Sequence, residues 1–179
     1  DPLATGLLIV CTGKNTKKIN ELMGLEKEYT GTFSLGATTP SYDLETEIDQ
    51  TFPISGISEK QIQRTASDFI GTIKQVPPLF SALKKDGKRL YEYARTNQSV
   101  EIQAREVSVN GFEIEKIEMP KVFFRINCSK GTYIRSLAHD FGKKLGCGAH
   151  LSALRRTKIG EFSVENALTL AEFENNLSA

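Results

Sequence analysis

The chain has no tryptophan, only two methionines, and only two histidines, His139 and His150, among its 179 residues. Its three cysteines, Cys11, Cys128 and Cys147, form an odd and scattered set. No Cys or His pair stands at zinc-ligand spacing and no disulfide framework can be drawn, so the thiols read as reduced, in a cytoplasmic protein. The longest apolar run, LLIVC from Leu7 to Cys11, is far short of the roughly 20 residues that a membrane span requires. No basic-then-apolar leader opens the chain. Neither sign of charge prevails, because 23 Lys and Arg face 22 Asp and Glu for a net charge of +1. Any contact with nucleic acid must therefore rest on local patches. A P-loop, a dinucleotide GxGxxG and a nucleophile elbow are all missing, which removes support for ATP, NAD and serine-hydrolase chemistry. No cofactor and no metal are expected.

What is present suits a folded domain. Hydrophobic residues make up 39% and charged residues 25%, enough for one core over a single domain spanning 1–179. The chain opens on Asp1-Pro2, where proline fixes its own φ and holds the preceding carboxylate in extended backbone. A start of this kind, without Met, reads as an interior segment, with further residues upstream. Gly6–Gly13 reads as a buried strand, and 14–24 as a helix with Ile19, Leu22 and Met23 on one side and Gly24 as its stop. Tyr29, Gly31, Phe33 and Leu35 alternate along a strand from Lys27 to Gly36. The polar stretch 37–56 reads as a long irregular connection. Ser58 and Gln61 form a capping box before the stripe Ile62, Ala66, Phe69 and Ile70.

Further on, 105–118 and 121–129 read as strands paired across Met119-Pro120. A helix runs from about Tyr133 to Leu145 and closes on glycine. A strand-rich piece follows, then a final helix capped by Thr169. The order does not repeat as βαβ, which predicts an α+β fold on a mixed, mostly antiparallel sheet flanked by helices.

Candidate chemistry lies in basic and aromatic segments. Lys84, Lys85, Lys88 and Arg89 surround the turn signal Asp86-Gly87, ahead of Leu90, Tyr91 and Tyr93 in a short helix. Lys130 and Gly131 precede the later helix, and Arg135 lies in its first turn. A cation there opposes the helix dipole and calls for an anionic partner, either a carboxylate or a phosphate. Arg155, Arg156 and Lys158 could extend a stripe that follows a phosphate backbone. Gly146-Cys147-Gly148 reads as a turn after a helix. Glu45, Glu47 and Asp49 read as a solvated loop, and Cys128 and Cys147 as core thiols.

These segments carry a resemblance. DPLATGLL is similar to the second half of the GxLDPxATG motif of pseudouridine synthases. EKEYTGTFSLGATTPSYDLET resembles the KxY…LGxxTxTxDxxG block of the TruB family, the bacterial tRNA pseudouridine-55 synthases. VPPLFSALKKDGKRLYEYAR, CSKGTYIRSLAHDFGKKLGCGAHLSALRRT and GEFSVENALTL follow in the family's order. The resemblance implies a pseudouridine synthase catalytic domain that isomerises uridine in the tRNA T-loop, acting as a monomer. It makes Asp1 the essential carboxylate, Tyr29 the ring that stacks on the flipped uracil, Arg135 the partner of the carboxylate and Leu154 the apolar wall of the pocket. It makes residues 77–95, within an insertion at about 76–105, a thumb that folds onto the RNA. Lys84, Lys85, Lys88, Arg89, Lys130, Tyr133, Arg155 and Arg156 become candidate substrate contacts.

The upstream part of the motif and a C-terminal RNA-binding appendage are absent from this sequence. Asp1 here also bears a free α-amino group beside its carboxylate, and the isolated chain is expected to be inactive. In the 37–56 stretch, TTPSYD has proline where the family often has an aspartate-threonine pair, which should stiffen the loop and leave the chemistry alone. Two other functions fit parts of the pattern: a noncatalytic RNA-binding or RNA-folding module, and the catalytic subunit of a guide-RNA particle, against which the thumb insertion argues.

Overall fold

The computed structural model describes residues 2–96 and 100–177. Asp1 and part of the thumb insertion, residues 97–99, lie outside the described residues.

The longest strands are those in which apolar residues recur at every second position. They are β2 (Lys27–Leu35), β8 (Arg105–Glu118), β9 (Lys121–Cys128) and β10 (Ala149–Ile159), numbered with the shorter β1 (Thr5–Gly6), β3 (Ala37–Thr38), β4 (Gln50–Thr51), β5 (Gly71–Gln75), β6 (Lys84–Lys85), β7 (Lys88–Arg89) and β11 (Phe162–Ser163). Seven of them form one sheet in the order β1-β10-β2-β9-β8-β5, with β11 also paired to β10. All its pairings are antiparallel except β1 with β10. The α+β expectation is met. β8 and β9 form the hairpin read from the sequence, joined through a cis Met119-Pro120 bond.

The helices are α1 (Ile19–Gly24), α2 (Glu59–Ser67), α3 (Leu90–Arg95), α4 (Ile134–Leu145) and α5 (Leu170–Leu177). Ser58 and Gln61 close the capping box that starts α2. Gly146 ends α4 in the left-handed region at φ 74°, where a side chain would be strained. α2 packs on β8 and on α4, while α4 packs on β10. Their apolar faces meet Phe33, Phe112, Phe124, Ile126 and Leu151 of the sheet in one core. At its centre the Phe33 ring lies 4.3 Å from that of Phe124 and 5.4 Å from that of Phe141. Phe33, Phe124 and Phe141 are fully buried, as is Cys128, and Cys147 is buried beside them.

The first strand is much shorter than the sequence suggests. Only Thr5 and Gly6 pair with β10; Leu7 is buried, but Leu8 and Val10 are 72% and 76% exposed. Gly6, at φ 102°, packs so closely on the Arg156 carbonyl that a Cβ there would stand 2.2 Å from its oxygen. The chain turns off the sheet edge at that contact, and the apolar run Leu8–Cys11 lies outside the ladder. With Ile19, Leu22 and Met23 it lines a shallow hollow of about 310 Å³ instead. The 37–56 stretch is also more ordered than expected. It carries the β3–β4 pair, and Thr39, Ser41 and Asp43 are buried.

Gly142 of α4 packs tightly on the start of β10, where an added Cβ would lie 2.1 Å from the Ala149 nitrogen and 2.3 Å from the Gly148 carbonyl carbon. Both partners are backbone and neither can give way. Gly142→Ala should lower the unfolding free energy by about 2–3 kcal/mol, as overpacked sites do. Gly24→Ala, with nothing within 4 Å of its added carbon, should change it little. Urea denaturation of both variants checks this contrast.

Candidate active site

A cleft of about 490 Å³ opens where the N-terminus of α4 meets the middle of β10 and the first residues of the chain. It is lined by Ala4–Leu8, Tyr29, Thr132–Arg135, Leu154 and Arg156. Five of the residues singled out from the sequence, Tyr29, Tyr133, Arg135, Leu154 and Arg156, therefore share one concavity. Asp1 lies outside the described residues, but the segment that follows it forms one wall.

Sheet geometry brings these groups together. Tyr29 and Arg156 are directly opposed on β2 and β10, and Leu154 faces Gly31 two residues away. A side chain at Gly31 would run into the Ala153 carbonyl, 2.4 Å away, so glycine is what lets the strands close beside Leu154. Arg156 donates from Nε and Nη2 to the Leu7 carbonyl at 2.8 and 2.6 Å. Its bidentate grip holds the segment after Asp1 against the sheet.

Arg135 is 7% exposed, which is unusual for a guanidinium. It sits in the first turn of α4, where the dipole is unfavourable to a cation. Asp43, itself 2% exposed, provides compensation: its Oδ2 lies 3.3 Å from Arg135 Nη1, and the Ser41 carbonyl accepts from the same nitrogen at 3.5 Å. Asp43 Oδ2 has no well-directed hydrogen bond, so the contact is chiefly ionic. The other carboxylate oxygen accepts from the Glu45 amide at 2.9 Å.

The loop around Asp43 is tied down in turn. Thr39 donates to the Asp43 carbonyl at 2.6 Å, and Leu151 of β10 donates to the Tyr42 carbonyl at 2.8 Å. Tyr42, at φ 65°, stacks on His139 of α4 with ring centroids 4.1 Å apart. Sequence reasoning missed Asp43, because the loop read as solvated. A buried Arg that demands a carboxylate was the signal, together with the aspartate of the TxTxD block.

Tyr29 is half-buried against the core. Burial pushes its phenol above the ordinary 10.0, and the Arg156 guanidinium only partly opposes this. The ring therefore lines the cleft as a neutral hydrogen-bonding phenol. Nearby, burial pushes Cys128 up to about 11 and leaves it without thiolate character. Among the described residues, no group of three or more His, Cys, Asp and Glu side chains could hold a metal ion.

The other candidates fall outside the cleft. Lys130 and Arg155 are exposed and line no part of it. Lys84, Lys85, Lys88 and Arg89 form the β6–β7 hairpin, whose turn residues Asp86 and Gly87 take φ of 51° and 80°. Lys84, Lys88 and Arg89 point to solvent, while Lys85 is half-buried. Arg95 lies over the Tyr91 ring at 5.2 Å.

The fold and this cleft define a pseudouridine synthase. One solved structure with the same architecture is a Cbf5–Nop10–Gar1 complex, with TM-score 0.69 and 32% identity over 96% of this chain and 42% of that one. Another is an H/ACA RNP bound to a substrate RNA containing 2′-deoxyuridine, with TM-score 0.67 and 29% identity over 96% of this chain and 40% of that one. Residues 1–134 match the model of the TruB family pseudouridylate synthase N-terminal domain, and residues 135–179 that of the tRNA pseudouridylate synthase B C-terminal domain.

The chain belongs to the TruB family. It is 62% identical to the tRNA pseudouridine synthase B of Flavobacterium johnsoniae over 99% of this chain and 77% of that protein. It is 49% identical to that of Chloroherpeton thalassium over 96% of this chain and 72% of the relative.

Two outcomes follow from the geometry. Asp43→Ala removes a buried carboxylate partner from a buried cation and should cost about 3 kcal/mol of stability, read from denaturant midpoints. For Tyr29, the unfolded phenol ionises near 10.0 and the folded one above it. The stability due to the neutral ring is therefore complete below pH 10 and is lost as pH climbs through the folded value. Tyr29→Phe should flatten the fall in stability above that pH, followed by urea denaturation across the alkaline range.

Proposed function

We propose that this protein isomerises uridine to pseudouridine in the T-loop of tRNA, acting in the cytoplasm as a monomer. The observation that carries the reading is the single cleft that collects Tyr29, Tyr133, Arg135 and Leu154 beside the residues following Asp1. A uridine in a folded RNA is inaccessible until it is flipped out, so a concave site with an aromatic floor and an apolar wall is what the chemistry needs. In this reading Tyr29 stacks on the extruded uracil and Leu154 closes the opposite side.

The Asp1 carboxylate supplies the reacting group. Arg135 keeps it ionised by favouring its charged form. The bond between N1 and the anomeric carbon breaks, the uracil turns, and a bond forms from carbon five to the same anomeric carbon. Carbon five loses a proton and N1 gains one, so the product is an isomer and the balance needs no oxidant, reductant or energy source. The neutral phenol of Tyr29 is placed to take part in that proton movement. Lys84, Lys88 and Arg89 on the thumb hairpin hold phosphates and set the register of the RNA without reading bases.

A noncatalytic RNA-binding role is the other outcome of the decisive experiment. Asp1→Asn in the full-length protein should abolish pseudouridine formation on a T-stem-loop hairpin while RNA affinity stays within about twofold. Product formed at the wild-type rate would remove Asp1 from the chemistry. A wild-type protein that binds the hairpin and forms no product would favour the noncatalytic role. The guide-RNA-particle reading is the weaker one, since identity is 62% to a tRNA pseudouridine synthase B and 32% to the protein of the Cbf5 complex.

Binding should also weaken as salt rises, because thumb cations displace counterions from phosphates. Replacing Lys84, Lys88 and Arg89 together by alanine should reduce the slope of log affinity against log salt by about 2. An unchanged slope in a filter-binding titration would take the hairpin off the RNA.

A further inference from the structure

Gln75 has no place in the roles above, yet it is among the most buried polar side chains, at 2% exposure. It ends β5, the outermost strand on its side of the sheet, where it pairs with Arg105. Its carboxamide reaches Tyr133, 58 residues further along the chain. Oε1 accepts from the Tyr133 N–H at 2.8 Å, and Nε2 donates to the Tyr133 carbonyl at 3.1 Å. One residue on, the Val76 carbonyl accepts from the Ser136 hydroxyl at 2.8 Å. Pro78, just beyond, is fully buried.

Tyr133 is the N-cap of α4 and makes no side-chain cap of its own. The first backbone N–H groups of a helix lack partners within it. Here a distant side chain satisfies the amide of the capping residue and also holds its carbonyl, which accepts from Leu137 to start the helix. Two residues further on is Arg135. The end of β5 is thus bonded, both ways, to the turn that carries Tyr133 and Arg135 into the cleft. The same strand end is the foot of the thumb, because the basic segment begins at Val76-Pro77.

We infer that Gln75 is a positioning residue: its carboxamide fixes the height of Tyr133 and Arg135 in the cleft and ties that height to the foot of the thumb. The inference rests on the proposed reaction. Gln75 touches neither RNA nor reacting atoms. Its effect appears in turnover and not in affinity, because cleft geometry matters most when the uracil is being detached.

The test uses two substitutions in the full-length protein. Gln75→Met keeps length and burial but removes both hydrogen bonds. It should lower the single-turnover rate of pseudouridine formation by about tenfold or more, with RNA affinity changed by less than about twofold. Gln75→Glu keeps the acceptor for the Tyr133 amide and regains a donor for its carbonyl only when protonated. Burial raises the pKa of such a carboxyl. The rate of Gln75→Glu relative to wild type should therefore rise as pH falls from about 8 to about 6, a trend that lost packing alone does not produce.

Wild-type rates in Gln75→Met, or a loss confined to affinity, overturn the inference. Should Gln75→Met fail to fold, the pH trend of Gln75→Glu decides, and a flat ratio overturns it. Should wild type itself form no product, the proposed reaction fails. Amide exchange at Ile134 and Arg135 then decides the clamp, with rates in Gln75→Met equal to wild type overturning it.

Discussion

A positive charge removed from water is the constraint from which much of this structure follows. Arg135 is almost fully buried at the end of a helix whose dipole is unfavourable to it. Such a group is tolerable only if carboxylates and carbonyls are brought to it. The chain meets that need by folding a long connection back under α4, so that Asp43 and the Ser41 carbonyl reach the guanidinium. The threonine, serine and aromatic contacts of that loop then have a common purpose. They hold Asp43 where the buried cation requires it, and so fix Arg135 at the wall of the cleft.

The opposite side of the sheet shows a milder form of the same problem. Glu28 is buried between Arg125, 3.1 Å away, and Lys158, 3.6 Å away, with the Thr157 hydroxyl donating at 2.8 Å. Burial acts to raise its carboxyl, but the hydroxyl and the two cations outweigh it and hold it below the ordinary value. A strand that puts Tyr29 on the cleft side must put Glu28 on the other, since neighbours on a strand face opposite ways. The charge cluster keeps that glutamate compatible with a covered sheet.

Local rules made most of the framework legible. The capping box at Ser58, the glycine that ends α4, the hairpin across Met119-Pro120 and the Asp86-Gly87 turn are each set by a few adjacent residues. So is the alternation that places Tyr29 and Phe33 on one face. What escaped was long-range. The run from Leu7 to Cys11 has the composition of an inner strand, but strand neighbours and not composition decide pairing, and the contact of Gly6 with Arg156 ends it early. Asp43 fell in a stretch that looked like an irregular loop, and Gln75 was not singled out at all. Their partners lie 92 and 58 positions away, as the numbers of Arg135 and Tyr133 show, and no local pattern announces such a meeting. The family motif supplied Tyr29, Arg135 and Leu154 as a set; the fold supplied the walls around them.

The two matched family segments meet at residues 134 and 135, inside the first turn of α4. In three dimensions that seam runs through the cleft itself. Tyr29 and the Leu7 segment come from one side of it, Arg135, Leu154 and Arg156 from the other, and β10 of the second segment lies hydrogen-bonded to β2 of the first. A chimera that joined the front of one relative to the back of another at this boundary would exchange half of a shared wall and would leave no intact module on either side. Compatibility between such parents would be decided by the fit of opposing strands and by the reach of one guanidinium, more than by the sequence at the join.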